Sequence, residues 1–159
     1  MPPEKAAAWK ATFDEVLLTA HDAAFRMTDM ELSSELARRL GRLTVARLTG
    51  TPDGNTVSRW SRGRNSAGDA RLDRMRYAAY LLNALVGLGF SESSARHWFR
   101  GPHPALEDEK PMDVIARGDF KLVLMALRGH SPRDSRRAAR TLPLADESAY
   151  RDYTVDLTC

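Results

Sequence analysis

"LGRLTVARLTGTPDGNTVSRWSRG", residues 40–63, is the stretch on which the fold turns. It holds two short helical runs with a cluster of turn residues between them. In the first run Leu43, Val45, Ala46 and Leu48 keep helical spacing, and Gly50 stops it. "TPDGN" is dense in turn formers. Thr56 to Ser61 then predict a second short helix ending at Gly63. Two short helices joined by a Gly-containing turn form the helix-turn-helix pattern of DNA-binding proteins. That geometry needs a small residue midway along the first helix, where the second crosses it, and Ala46 supplies one. It needs a tight turn, which Gly50 permits, and apolar anchors inside the second helix, which Val57 and Trp60 provide at a spacing of three. The outer side must carry donors for phosphates and base edges, and Asn55, Thr56, Ser58, Arg59, Arg62 and Arg64 qualify. The turn is about one residue longer than the commonest version, which would rotate the reading helix.

Charge follows the same stretch. The chain has 159 residues and a formal charge of only +3, yet between Ala37 and Tyr77 ten arginines face three aspartates. Ten minus three leaves +7 in that segment, so the remainder sums to −4. A basic centre in a near-neutral protein predicts a localised contact with a polyanion. Solvated helix faces that happen to favour arginine are the plainer account of the same charges.

Outward from the centre, every element reads as helix. Residues 4–25 carry Trp9, Phe13, Val16, Leu17, Ala20 and Ala24 on one stripe, which suits packing on the chain's own domain or a dimerisation arm. Thr28 or Asp29 can cap a helix whose apolar edge is Leu32, Leu36 and Leu40, interrupted at Gly41. "ARLDRMRYAAYLLNALVGLGF" (70–90) is the strongest helical run, with Leu72, Met75, Ala79, Leu82 and Val86 on one face. Ser91 can cap "SARHWF", and Asp119 can cap "FKLVLMALRGH" after the short run "MDVIARG". No stretch alternates as a strand would, so the expected class is all-α, a helical bundle around a helix-turn-helix. The organisation read from sequence is an N-terminal helix (1–28), a helix-turn-helix region (29–88), a small helical domain (89–130) and a basic tail (131–159). The tail is expected to be mobile or to order only against a partner.

The centre and the later part together resemble the Xre/MbcA/ParS antitoxins. The resemblance rests on "LGRLTVARLTG", "TVSRWSRG", the long apolar helix, and above all "HWFRGPHPALEDEKPMDVIARG" (97–118). The last matches an aromatic, a Pro-Ala-Leu turn and a Pro-x-Asp-x-Ile segment ending in Gly. It covers roughly residues 35–128. It implies a helix-turn-helix that represses its own operon, and a C-terminal domain that masks a partner toxin, commonly of the RES type that consumes NAD. Carried over residue by residue, Val57, Arg59, Trp60 and Arg62 match the reading helix, while Trp98, Phe99, Pro104, Ala105, Leu106, Asp113, Val114 and Ile115 match the toxin-binding motif. Two features depart from the family. Its turn is often Asn-Pro-Ala-Leu-Gly, where this chain has His103 and no glycine, and the chain continues about thirty residues past the last helix. Read without the family, residues 103–118 are an elbow stiffened by Pro104 and Pro111, with Asp113 placed to cap or pair near a helix start.

Nothing in the sequence assembles an enzyme's chemistry. His21, His97, His103 and His130 stand apart, and the single cysteine, Cys159, joins no metal-ligand spacing. Neither cofactor nor metal is expected. A lone cysteine excludes an internal disulfide framework and suits a reducing cytoplasm, and no apolar window reaches the roughly 20 residues of a membrane span. The expected partners are operator DNA, a RES-type toxin and a second copy of the chain, because one helix-turn-helix reads only a half-site. The alternatives are a stand-alone regulator whose C-terminal domain dimerises, and an interaction module with a vestigial reading helix.

Overall fold

The computed structural model describes residues 2–129, apart from the side chains of Lys5, Ala6 and Trp9; the tail from His130 to Cys159, and the expectation of mobility placed on it, lie outside the described residues. Within them the chain is all-helical, as its periodicity predicts. Eight α-helices and a single 3-10 turn follow one another: α1 (Pro3–Phe25), α2 (Asp29–Leu40), α3 (Arg42–Thr49), α4 (Gly54–Ser61), α5 (Asp69–Gly87), α6 (Glu92–Arg100), the turn Pro104–Leu106, α7 (Pro111–Ala116) and α8 (Phe120–Arg128).

Local chemistry sets most of these boundaries. Thr28 caps α2 in a reciprocal box: its hydroxyl accepts from the Glu31 N–H at 3.3 Å, and the Glu31 carboxylate accepts from the Thr28 N–H at 2.8 Å. Asp53 caps α4 by accepting from the Thr56 N–H at 2.9 Å. Ser91 caps α6 by accepting from the Ser94 N–H at 3.1 Å. Gly41 (φ 88°) both ends α2 and begins α3, and Gly50 closes α3 in the left-handed region at φ 68°. Asp119 stands at the start of α8 but makes no cap hydrogen bond; its carboxylate lies instead 3.5 Å from Arg117 Nε.

Helix α5 is the spine, touched by α1, α2, α3, α6, α7 and α8. Met75, Ala78, Leu82 and Leu85 are fully buried on it. Val86, expected on the same buried face, is 37% exposed, because Leu85 and Ala84 take the inner positions of that turn. Leu32, Leu36 and Leu40 of α2, Val45 and Leu48 of α3, Phe99 of α6, Ile115 of α7 and Leu127 of α8 meet the spine in one continuous core. Burying each such side chain contributes about 1.5–3 kcal/mol, so the helix-turn-helix rests on a scaffold much larger than itself.

Helix α1 packs on its own chain. Phe13, Leu17, Ala20 and Ala24 are buried against α5, and a Cβ at Gly87 would come within 2.7 Å of Val16 Cγ1. The two backbones approach that closely because position 87 has no side chain. Trp9, placed on the same stripe by its spacing, has a side chain outside those described.

Candidate nucleic-acid interface

Helices α3 and α4 form the two arms of the central motif. Ala46 is buried midway along α3, and Val57 and Trp60 are buried on the inner side of α4. The corner between them is closed by Thr49, whose hydroxyl donates to the Val45 carbonyl at 2.7 Å and lies 3.0 Å from the Thr51 hydroxyl. Arg74 of α5 donates to the Thr49 carbonyl at 3.0 Å, so the spine holds the turn from behind. Arg100 of α6 reaches the other end of α3, donating to the Leu40 carbonyl and, at 3.1 Å, to the Thr44 hydroxyl.

Helix α4 starts two residues earlier than its spacing predicts, at Gly54, because Asp53 caps it. A Cβ at Gly54 would sit 3.2 Å from Arg42 Cβ and 3.8 Å from Leu43 Cδ2. Glycine therefore lets the start of α4 lie against the start of α3. Asp53 is held below the usual carboxylate range, chiefly by the Thr56 N–H it caps, with a smaller contribution from the positive charge of Arg59.

The outward stripe of α4 and its C-cap is Asn55, Arg59 and Arg62, at i, i+4 and i+7, and all three are exposed. Arg64 is exposed in the loop that follows. Ser58 and Thr56 are half-buried on the two flanks; Ser58 Oγ accepts from Arg42 Nη1 at 3.1 Å, and Thr56 lies against the Asp53 cap.

The ten arginines of the basic centre separate into two groups. Arg38 pairs with Glu35, Arg76 lies 3.7 Å from Asp73, and Arg47 grips Asp113. Arg39 is buried, donating to Glu92 at 3.0 Å and to Asn83 Oδ1 at 2.6 Å. Arg71 and Arg74 donate to backbone carbonyls, and Arg42 to Ser58. The guanidinium groups of Arg59, Arg62 and Arg64 make no hydrogen bond or ion pair with a described residue. Of these ten arginines, the three without a side-chain hydrogen bond or ion pair thus lie together at the end of one exposed helix and in the loop that follows it, although the sequence spreads the ten over forty residues.

Sequence reading missed Arg42, Leu43, Asp53 and Gly54 as parts of this surface. Arg42 and Leu43 directly follow Gly41, the break before the first arm, and that break was the available signal.

The residues matching the toxin-binding motif take a different place. Trp98, Phe99, Leu106, Val114 and Ile115 are buried in the core, where Trp98 meets Phe99 edge-on at 5.5 Å between centroids. Pro104 and Ala105 are exposed, and Asp113 is half-buried in its pairing with Arg47. The segment 103–110 closes on itself: the His103 N–H donates to the Glu109 carbonyl at 3.0 Å, and the Asp108 N–H to the His103 carbonyl at 3.1 Å. Glu107 and Asp108 both take positive φ, 54° and 62°, in making that turn.

Among the described residues no group of three or more His, Cys, Asp or Glu side chains gathers as metal ligands, and no helix is long and apolar enough to cross a membrane. No protein-family model, curated protein or solved structure matches the chain.

Proposed function

We propose that the protein is a sequence-specific DNA-binding regulator whose α4 enters the major groove and reads a half-site. One observation carries this reading. The side chains of Arg59 on the outer side of α4, Arg62 at its C-cap and Arg64 in the loop that follows make no hydrogen bond or ion pair with a described residue, while Val57 and Trp60 lock the inner side of the helix and the other seven arginines of the basic centre bond within the chain. Fixed apolar anchors set the orientation, and free guanidinium groups then meet phosphates and guanine edges.

We further propose, as the resemblance to the Xre/MbcA/ParS antitoxins implies, that the regulator neutralises a partner toxin and represses their shared operon. In favour stands Glu107, which takes positive φ at the position where that family often has glycine. The surface this segment offers a partner is Pro104, Ala105 and the rim of Asp113, since the aromatic and aliphatic members of the motif are buried.

The test is a band-shift titration of the full-length protein against the DNA upstream of its own gene, with unrelated DNA as competitor. Retention of that fragment under excess competitor is the expected result. Equal binding to both DNAs, or none, removes the regulator reading. Affinity capture from the native host then separates the antitoxin from the stand-alone regulator, according to whether one stoichiometric protein partner is recovered.

A further inference from the structure

Leu43 is 68% exposed, and among the exposed large apolar residues it alone belongs to α3 or α4. The outer stripe of α4 carries only polar and charged side chains, Asn55, Arg59 and Arg62. Such a stripe can hydrogen-bond to phosphates and to base edges. It offers no apolar surface to the one apolar feature of the major groove, the thymine 5-methyl group, and Thr56, the one α4 candidate with a methyl, is half-buried against the Asp53 cap. Leu43 stands where it can supply that surface. Its Cδ2 would lie 3.8 Å from a Cβ at Gly54, and Gly54, the first residue of α4, has no side chain to cover it. Arg42, the neighbouring residue, is tied to Ser58 of α4, which fixes the start of α3 against the flank of the reading helix.

From this placement we infer that Leu43 is a specificity-determining residue, making van der Waals contact with a thymine methyl at the edge of the half-site. The inference rests on the reading of α4 as the helix that enters the major groove. If that is so, a single exposed leucine selects thymine over cytosine at one position without a hydrogen bond.

The experiment uses the duplex that the full-length protein enriches from a randomised library. Each thymine in turn is replaced by deoxyuridine, which lacks only the methyl group. The expected result is one position per half-site where the wild-type protein loses about fourfold in affinity, the worth of one buried methyl. The Leu43→Ala protein, checked for unchanged helicity, should bind the unmodified duplex more weakly by a similar factor and show no further loss at that position. Wild-type protein indifferent to every deoxyuridine overturns the inference while leaving DNA binding intact. So does a Leu43→Ala protein that keeps the full deoxyuridine penalty, because another side chain then reads the methyl. Failure to enrich any duplex overturns both this inference and the regulator reading.

Discussion

Arg47 and Asp113 grip each other through two parallel hydrogen bonds, Nε to Oδ1 at 2.7 Å and Nη2 to Oδ2 at 3.1 Å. They join α3, the first arm of the helix-turn-helix, to α7, sixty-six residues later in the chain. The fork geometry is the strong form of a carboxylate–arginine pair, but the side chains are 55% and 31% exposed, so water screens it. A double-mutant cycle of Arg47→Ala and Asp113→Ala should give a coupling of about 0.5–1 kcal/mol in urea unfolding. Additive losses would mean that the two helices are joined by packing alone.

Helix α1 depends on one glycine. Gly87→Ala would drive a methyl to within 2.7 Å of Val16 Cγ1, a separation that must be relieved by moving α1 or the valine. The expected cost is about 1–3 kcal/mol. Val16→Ala in the same chain should recover part of it by removing the opposing methyl. Thermal unfolding of the wild type and the two variants checks this, and equal losses in the single and double variants would place the strain elsewhere.

The 103–110 turn stores backbone strain at Glu107, which takes φ 54° without being glycine. Asp108 shares the conformation, but aspartate tolerates it better. Glu107→Gly should therefore stabilise the protein by about 0.5–1 kcal/mol, the relief being reduced by glycine's greater freedom in the unfolded chain. An unchanged or lowered melting temperature would show that the side chain of Glu107 contributes more than its backbone costs.

Two helix starts impose a pH dependence. Glu31 is held low chiefly by the Thr28 N–H, and Asp53 chiefly by the Thr56 N–H. For a depressed carboxylate the unfolded chain binds the proton more readily, so the stabilisation is complete above the unfolded value of about 4 and disappears as pH falls through the lower folded value. Asn also caps helices but does not titrate. Asp53→Asn, alone and with Glu31→Gln, should therefore lose less stability than the wild type on acidification below about pH 4. Parallel acid profiles would assign the acid sensitivity to other carboxylates.

Much of the helical framework is legible from residues close together in the chain. The caps Thr28 and Ser91, the breaks Gly41 and Gly50, and the long apolar run of α5 act within a few positions of themselves. The inward side of α4 is legible for the same reason: Val57 and Trp60 sit three apart. The distribution of free charge is not legible, because what separates Arg39 and Arg47 from Arg59 and Arg62 is whether Glu92 or Asp113 folds back across more than fifty residues to meet them. Gly54 escapes notice because a turn-rich "TPDGN" gives glycine an ordinary explanation, whereas its role here is the close approach of α4 to Arg42. The resemblance makes Trp98 and Ile115 contact residues, but both are buried, and an apolar side chain looks the same in sequence whether it fills a core or meets a partner.

On the proposed reading, Arg59 and Arg62 carry the nucleic-acid contact. The most direct measurement is the salt dependence of DNA affinity, by fluorescence anisotropy, for the wild type, Arg59→Ala, Arg62→Ala and the double variant. If each guanidinium neutralises one phosphate, each substitution should flatten the plot of log affinity against log salt by about 0.9, and the double variant by about 1.8. A substitution that weakens binding without changing the slope would move that arginine from a phosphate to a base edge, within the same account. Unchanged affinity and unchanged slope in the double variant would contradict it, and the free charge on α4 would then belong to some other contact.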